Sequence, residues 1–232
     1  MTIKQFEELV LAKLKIVVDK IIIKNLELPI SAKSRAGAEI SDWMEEKFVE
    51  YTVENDFFDD SEAAPKGSTK NPWDARTKFV LEGHKEEIWI DFKAFKITSA
   101  DSNPDIGTPN KIIKLINEGN FYHVFIHIFY EATDNGLKFV ELNDSYSKLY
   151  FLKDISSTFR RNPKNQLQVN ISAPSEYRTR EEFIKLLMDK IKQSHLRQIE
   201  ISNKALKRQD EITEELLKAN KKSEDDLSKK IQ

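Results

Sequence analysis

The sequence predicts an α/β fold: a mixed β-sheet flanked by helices, with a long C-terminal helix. Three observations carry this expectation. Apolar residues recur every three to four positions over 2–25, over 37–54 and again from Thr179 onward, the period of a buried helix face. Segments 73–81 and 86–95 alternate apolar and polar residues around a glycine-bearing turn, as two paired strands do. Phe121–Tyr130 is almost continuously apolar, which marks a strand covered on both faces.

In chain order, the first helix runs from residue 2 to about 25. It carries Phe6, Val10, Leu14, Val17 and Ile21 on one stripe, widened by Ile22 and Ile23, and Pro29 closes the segment. A second helix is expected from about Gly37 to Glu54, burying Ile40, Met44, Phe48 and Tyr51. Residues 55–70 turn acidic and then Pro-, Gly- and Ser-bearing, a loop. The hairpin follows, turning at Glu82-Gly83-His84-Lys85. A two-residue Gly83-His84 loop would set Asp74 across from Lys93 and Arg76 across from Asp91. Ile97–Asn110 is a long polar loop with two prolines, a kind that compact domains keep mainly for function. A short helix near 109–118 leads to the central strand, and shorter strands are expected near 137–142, 148–153 and 166–172. From Thr179 the helical pattern carries Phe183, Leu187, Ile191, Ile199, Leu206 and Leu216; beyond about residue 203 it is dominated by charge and its end should fray.

Composition removes several classes. With no cysteine, disulfides, thiolate metal sites and cysteine nucleophiles are excluded. A net charge of −2 and a pI near 6.2 do not suit a generic polyanion binder, although basic residues can still cluster locally. The N-terminus lacks a signal-peptide pattern and no apolar run approaches membrane-spanning length, so a soluble, cytoplasmic protein without membrane contact is expected. His123 and His127 share a strand face but sit about 13 Å apart at strand rise, too far to hold one ion together. They read as core or interface histidines.

The chemistry concentrates in Asn71-Pro-Trp-Asp74 and Ile88-Trp-Ile-Asp91-Phe-Lys93. Asp91 and Lys93 share strand parity and so emerge side by side from one face. An Asp-x-Lys alone is often only a solvated ion pair. Here an upstream aspartate at hairpin distance and the flanking Trp73, Trp89 and Phe95 set it apart, because charge placed among apolar side chains is costly. Two carboxylates suit a hard cation such as Mg²⁺, which binds through one or two carboxylates and keeps several waters. Asp74 and Asp91 are therefore the expected metal ligands, with the Phe92 carbonyl as a further oxygen, and Lys93 would stand beside an attacking water. The second helix offers Glu39, Asp42, Glu45 and Glu46; Glu39, at the small-residue helix start, is chosen as the third carboxylate.

The order helix glutamate, Pro-Trp-Asp74, Asp91-Phe-Lys93 resembles the PD-(D/E)xK nuclease superfamily, in particular type II restriction endonucleases that cut to blunt ends. The longer strings at 71–76, 88–97, 101–111 and 177–183 extend the resemblance over most of the chain. Trp73 separates Pro72 from Asp74, a departure at a proline that varies in the superfamily. The resemblance implies a restriction-endonuclease-like fold and a homodimeric, Mg²⁺-dependent enzyme. It implies that the palindrome ATTTAAAT is read and cut at its centre, and that a companion DNA methyltransferase protects self-DNA. It assigns the catalytic roles to Asp74, Asp91 and Lys93, with Glu39 as the helix acid. One endonuclease domain would then span 1–232: an N-terminal helix over 1–30, a catalytic and DNA-reading core over 37–172, and the C-terminal helix with its charged tail over 178–232.

Reading double-stranded DNA needs side chains that reach base edges. Asn and Gln suit adenine, and Thr suits the thymine methyl. Ser99, Ser102, Asn103, Thr108 and Asn110 offer that chemistry in the long loop. Gln166, Gln168 and Asn170 would line one strand face. Arg160, Arg161, Lys164, Arg178 and Arg180 suit phosphates, contacts that set register rather than specificity. Two rivals stand beside this reading: a structure-specific repair or junction nuclease on the same fold, and a non-catalytic DNA-binding or coiled-coil protein built on the charged helix.

Overall fold

The computed structural model describes residues 1–30, 36–65, 72–98, 103–119, 122–162 and 166–231, with the side chains of 224–231 left out. It divides into two compact units, Met1–Ile184 and Lys185–Gln232.

Helix α1 (Ile3–Lys24) starts at a capping box in which Thr2 and Gln5 satisfy each other's backbone donors. It buries Val10, Leu14, Val17, Val18, Ile21 and Ile22, the expected stripe widened at its end. Strand β1 (Glu27–Leu28) precedes α2 (Ala36–Thr52), which buries Ile40, Met44 and Phe48. Gly37 places the start of α2 against the sheet: a Cβ there would be in ordinary contact with the Ala94 carbonyl, at 3.5 Å. Strand β2 (Phe58–Ala63) lies within the stretch expected to be loop. Its acidic side chains face out, where Asp59, Asp60 and Glu62 pair with Lys85, Lys78 and Arg76.

Strands β3 (Ala75–Leu81) and β4 (His84–Lys96) form the expected hairpin in a shifted register. The loop is Glu82-Gly83, at φ 48° and 84°, so Leu81 pairs with His84 and Ala75 with Ile90. Positive φ at both central residues is what the tight hairpin turn requires. Arg76 therefore faces Trp89 instead of Asp91, and Asp74, one step beyond the last pair, lies level with Asp91 rather than Lys93. The displacement is two residues, which preserves face parity; a slip of one would have sent every side chain to the other face.

Strand β5 (Asp105–Gly107) and helix α3 (Pro109–Asn117) lead to β6 (His123–Thr133), which is buried from His123 to Tyr130. It runs parallel to β4, and on its other side pairs antiparallel with β7 (Gly136–Phe139) and β8 (Ser147–Phe151). The seven-stranded mixed sheet reads β1-β7-β6-β4-β3-β2, with β8 joined to β6. A single 3₁₀ turn follows at Leu152–Asp154. Strands β9 (Arg160–Arg161) and β10 (Leu167–Gln168) join β5 in a small second sheet, and α4 (Arg180–Ile231) ends the chain. No helix among the described residues is long and apolar enough to cross a membrane.

Candidate active site

Asp74 enters β3 just before the ladder begins. Its backbone N–H donates to the Ile90 carbonyl at 2.8 Å, and its carboxylate accepts from the Phe92 N–H at 2.7 Å. The aspartate thus replaces the missing ladder partner at that end of β4. Asp91 is 5 % exposed and forms an ion pair with Lys93. The Lys93 ammonium lies 3.9 Å from Asp74, so one cation stands between two carboxylates. The expected convergence holds despite the shifted register, because Asp74 and Asp91 share a sheet face.

On helix α2 it is Glu45, rather than Glu39, that lies in the field of Asp74 and Asp91. Gly37, Ser41 and Glu45 recur every four residues on the face that meets β4: Gly37 lies near Ala94, and the Ser41 hydroxyl donates to the Phe92 carbonyl at 3.1 Å. Glu39 lies two residues round the helix from Gly37, about 200° away at 100° per residue, and is exposed. Burial, then the charges of Asp74, Asp42 and Asp91, push the Glu45 carboxyl up to about 8. Burial and the neighbouring Asp91 likewise raise Asp74 above the usual carboxylate range. Burial opposes the Lys93 charge, but Asp91, Asp74 and Glu45 outweigh it and hold the ammonium above its ordinary range.

Beneath this cluster β6 presents a row of rings. Its register sets His123, Phe125 and His127 beside Trp89, Asp91 and Lys93. His127 Nε2 lies 2.6 Å from the Tyr150 hydroxyl, and both histidines are buried, as the sequence led one to expect. Burial depresses them to about 4 and about 3, so they are neutral around the acids. An electroneutral, rigid floor leaves Lys93 as the cation between Asp74 and Asp91. Lys111 of α3 adds positive potential at Asp74 from outside and was not singled out from the sequence.

The residues expected to meet DNA fare unevenly. The small sheet brings the two predicted regions together: Gln168 is level with both Asp105 and Arg160, and Asn162 Nδ2 donates to Asp105 at 3.0 Å. Gln166, Gln168 and Asn170 alternate with buried Leu167, Val169 and Ile171, so the three amides face outward. Asn103 Oδ1 accepts from the Ile171 N–H at 3.4 Å and ties the two segments. Asn110 is exposed on α3, while the Thr108 oxygen caps that helix through the Lys111 N–H. Arg160 is exposed, Arg161 half-buried, and Arg180 stacks over Tyr122 at 4.8 Å. Arg178 is a correction. It is buried, and its guanidinium donates to the carbonyls of Lys153, Ile155 and Glu176, which removes it from any phosphate. Ser99, Ser102 and Lys164 lie outside the described residues.

Among the described residues no group of three or more His, Cys, Asp or Glu side chains is drawn together as a preformed metal cage. The donor chemistry nevertheless fits a hard divalent cation. Mg²⁺ asks for one or two carboxylates and retains its waters, and two carboxylates with a backbone carbonyl beside them match that demand.

Comparison with known proteins found a family model, SwaI-like (SwaI restriction endonuclease), matching residues 2–209. Among solved structures, the NlaIV restriction endonuclease is similar over 82% of this chain and 80% of that one, at a TM-score of 0.48 and 15% sequence identity. No curated protein sequence matches.

Proposed function

The chain belongs to the SwaI-like restriction endonuclease family and is a type II restriction endonuclease, and from that premise we propose that Asp74, Asp91 and Lys93 are its catalytic residues. The observation that supports this is the single ammonium between two carboxylates on one strand-face, with Glu45 as the helix acid beside them. Asp74 and Asp91, with the Phe92 carbonyl, would hold Mg²⁺. When bound, the ion supplies charge neutralisation at the scissile phosphate and a water of lowered pKa. Glu39, exposed on the far face of α2, has no part in this reading.

The residues divide the remaining work. The Phe92 N–H fixes the Asp74 carboxylate against β4, so its oxygens are oriented before DNA arrives. Lys93 donates toward the attacking water and stabilises charge growing on the phosphate oxygens. Glu45, protonated near neutral pH without a metal, can release that proton and complete the acidic cluster when a cation enters. The outward amides Gln166, Gln168 and Asn170 suit adenine edges, together with Asn103 and Asn110. Arg160, Arg161 and Arg180 suit phosphates.

The target we propose is the palindrome ATTTAAAT, cut bluntly at its centre by a two-fold dimer, a reading supported by the family resemblance and by the match between a palindrome and two-fold protein symmetry. Cytoplasmic action beside a companion methyltransferase belongs to the same reading. The test is digestion of a plasmid carrying one ATTTAAAT site, with Mg²⁺ or EDTA, and mapping of the ends. One Mg²⁺-dependent blunt cut is expected. A cut at another defined sequence would discard the target and keep the mechanism; absence of cutting on any duplex would overturn the assignment.

A further inference from the structure

The second unit, Lys185–Gln232, is a stretch of α4 whose large apolar side chains from Leu196 to Leu217 are exposed. At 100° per residue, Ile201, Ala205, Ile212, Leu216 and Ala219 fall within an arc of about 60°. Ile201 is 65%, Ile212 40% and Leu216 66% exposed, so among the described residues nothing covers this stripe. One edge of it is charged, with Glu200, Lys204, Arg208, Glu211, Glu215 and Lys218; the other, including Gln209 and Thr213, is uncharged.

We propose that this stripe is the surface through which two copies of the chain pair, helix against helix and antiparallel, about a two-fold axis between Gln209 and Asp210. The order of charges selects that arrangement. In an antiparallel two-fold pair each edge meets its own copy. Centred there, Arg208 comes level with the partner's Glu211 and Lys204 with the partner's Glu215. Glu200 falls within one residue of the partner's Lys218, and symmetry repeats each pairing. The like-signed Arg197 and the partner's Lys222 meet only at the outer ends. Lys204 already pairs with Glu200 at 2.7 Å and Arg208 with Glu211 at 3.3 Å along the helix, and a parallel pair in register would set this charged edge against the uncharged one and add no pairing across the interface. Size agrees with charge: Ala205 falls between the levels of the partner's Ile212 and Leu216, and Ile201 between those of its Leu216 and Ala219. Small side chains thus meet large ones, and the two rows interdigitate.

The pairing deepens the two-fold reading above by naming its surface, and its test does not depend on cutting. Sedimentation of the intact chain should give twice its 27.0 kDa mass. The exposed stripe tolerates polar change without loss of the helix, so Ile212→Glu with Leu216→Glu should weaken pairing at least ~100-fold, because two charges would be buried without partners. Arg208→Glu should weaken it, and adding Glu211→Arg should restore it. The chain lacks cysteine, so single replacements report the register cleanly. Gln209→Cys should form a disulfide with its own copy. Ile201→Cys should not, because the two copies of that position stand about 25 Å apart at 1.5 Å per residue. A monomer, a dimer unaffected by the double Glu variant, or self-linking of Ile201→Cys would each overturn the proposal. A monomer that still cuts at a defined site would do so while leaving the nuclease assignment standing.

Discussion

Two charge clusters in the first unit make opposite use of the same side chains. Around Lys153, Nζ donates to Asp154 at 2.8 Å and to the Arg178 carbonyl at 2.7 Å, and pairs with the Glu7 carboxylate at 2.9 Å. The Tyr177 ring lies 4.2 Å from the same ammonium. Asp154 in turn accepts from the Arg178 N–H at 2.9 Å, and Arg178 spends its guanidinium on backbone carbonyls and Glu176. Glu7, Lys153, Asp154 and Arg178 are all buried, two acids against two bases. Around Lys93 stand three acids, Asp74, Asp91 and Glu45, against that one ammonium and the more distant charge of Lys111. A balanced cluster of paired charges ties elements of the fold together. An acid-rich one is incomplete electrostatically and fits a site that admits a cation.

The contrast is most severely tested by deleting one charge from each cluster. Asp91→Ala should reduce cleavage by at least ~10³-fold while DNA binding, measured by gel shift in Ca²⁺, is largely retained. Lys93→Ala should fall by a similar factor in single-turnover assays, and near-normal turnover in that variant would remove its catalytic role. In the balanced cluster Lys153→Met should leave cleavage per folded molecule unchanged but cost roughly 3–5 kcal/mol in urea denaturation, because Glu7 and Asp154 would stay buried without a counter-charge. If instead Lys153→Met were neutral and Asp91→Ala strongly destabilising, the two clusters would have been assigned the wrong way round.

A subtler probe is Glu45→Gln. Cleavage should drop about 10- to 100-fold, as for groups that support a metal's ligands, whereas Glu39→Gln should match the parent enzyme. The smallest effect is the pH dependence of metal-free stability. Glu45 is raised in the fold from about 4.5 to about 8, so its contribution is full below pH 4.5 and is lost as pH rises through 8. Asp74 is shifted in the same direction. The melting temperature in EDTA should therefore fall between pH 5 and 8. Mg²⁺ should reverse the fall by binding the folded state alone, and Glu45→Gln should flatten the slope. A melting temperature that rises over that range in EDTA would count against both shifts.

Much of this was legible along the chain because it is local. The stripe of α1, the alternation of β3 and β4 and the apolarity of β6 all follow from periods of 3.6 and 2. The pairing of Asp74 with Asp91 and Lys93 depended only on parity, which survives a two-residue change of register. Three readings failed for one common reason. The hairpin loop was placed one residue late because Glu82, not a glycine, takes the first positive-φ position. Glu39 was preferred to Glu45 because a helix carries acids on every face, and only the approach of Gly37 and Ser41 to β4 identifies the inner one. Arg178 looked like a surface base because nothing in Tyr-Arg-Thr-Arg announces the carbonyls it meets 23 to 25 residues back in the chain.

The sequence by itself determined the mixed α/β class, the face shared by Asp74, Asp91 and Lys93, and the absence of thiol chemistry, since each depends on residue type and near-neighbour spacing. Only the tertiary structure decided which acid of α2 lies on the face toward β4, that β5, β9 and β10 unite two amide-bearing segments, and that one buried cluster is balanced while the other is acid-rich. Those outcomes depend on contacts between segments far apart in the chain, where packing and desolvation rather than local period set which charges face each other.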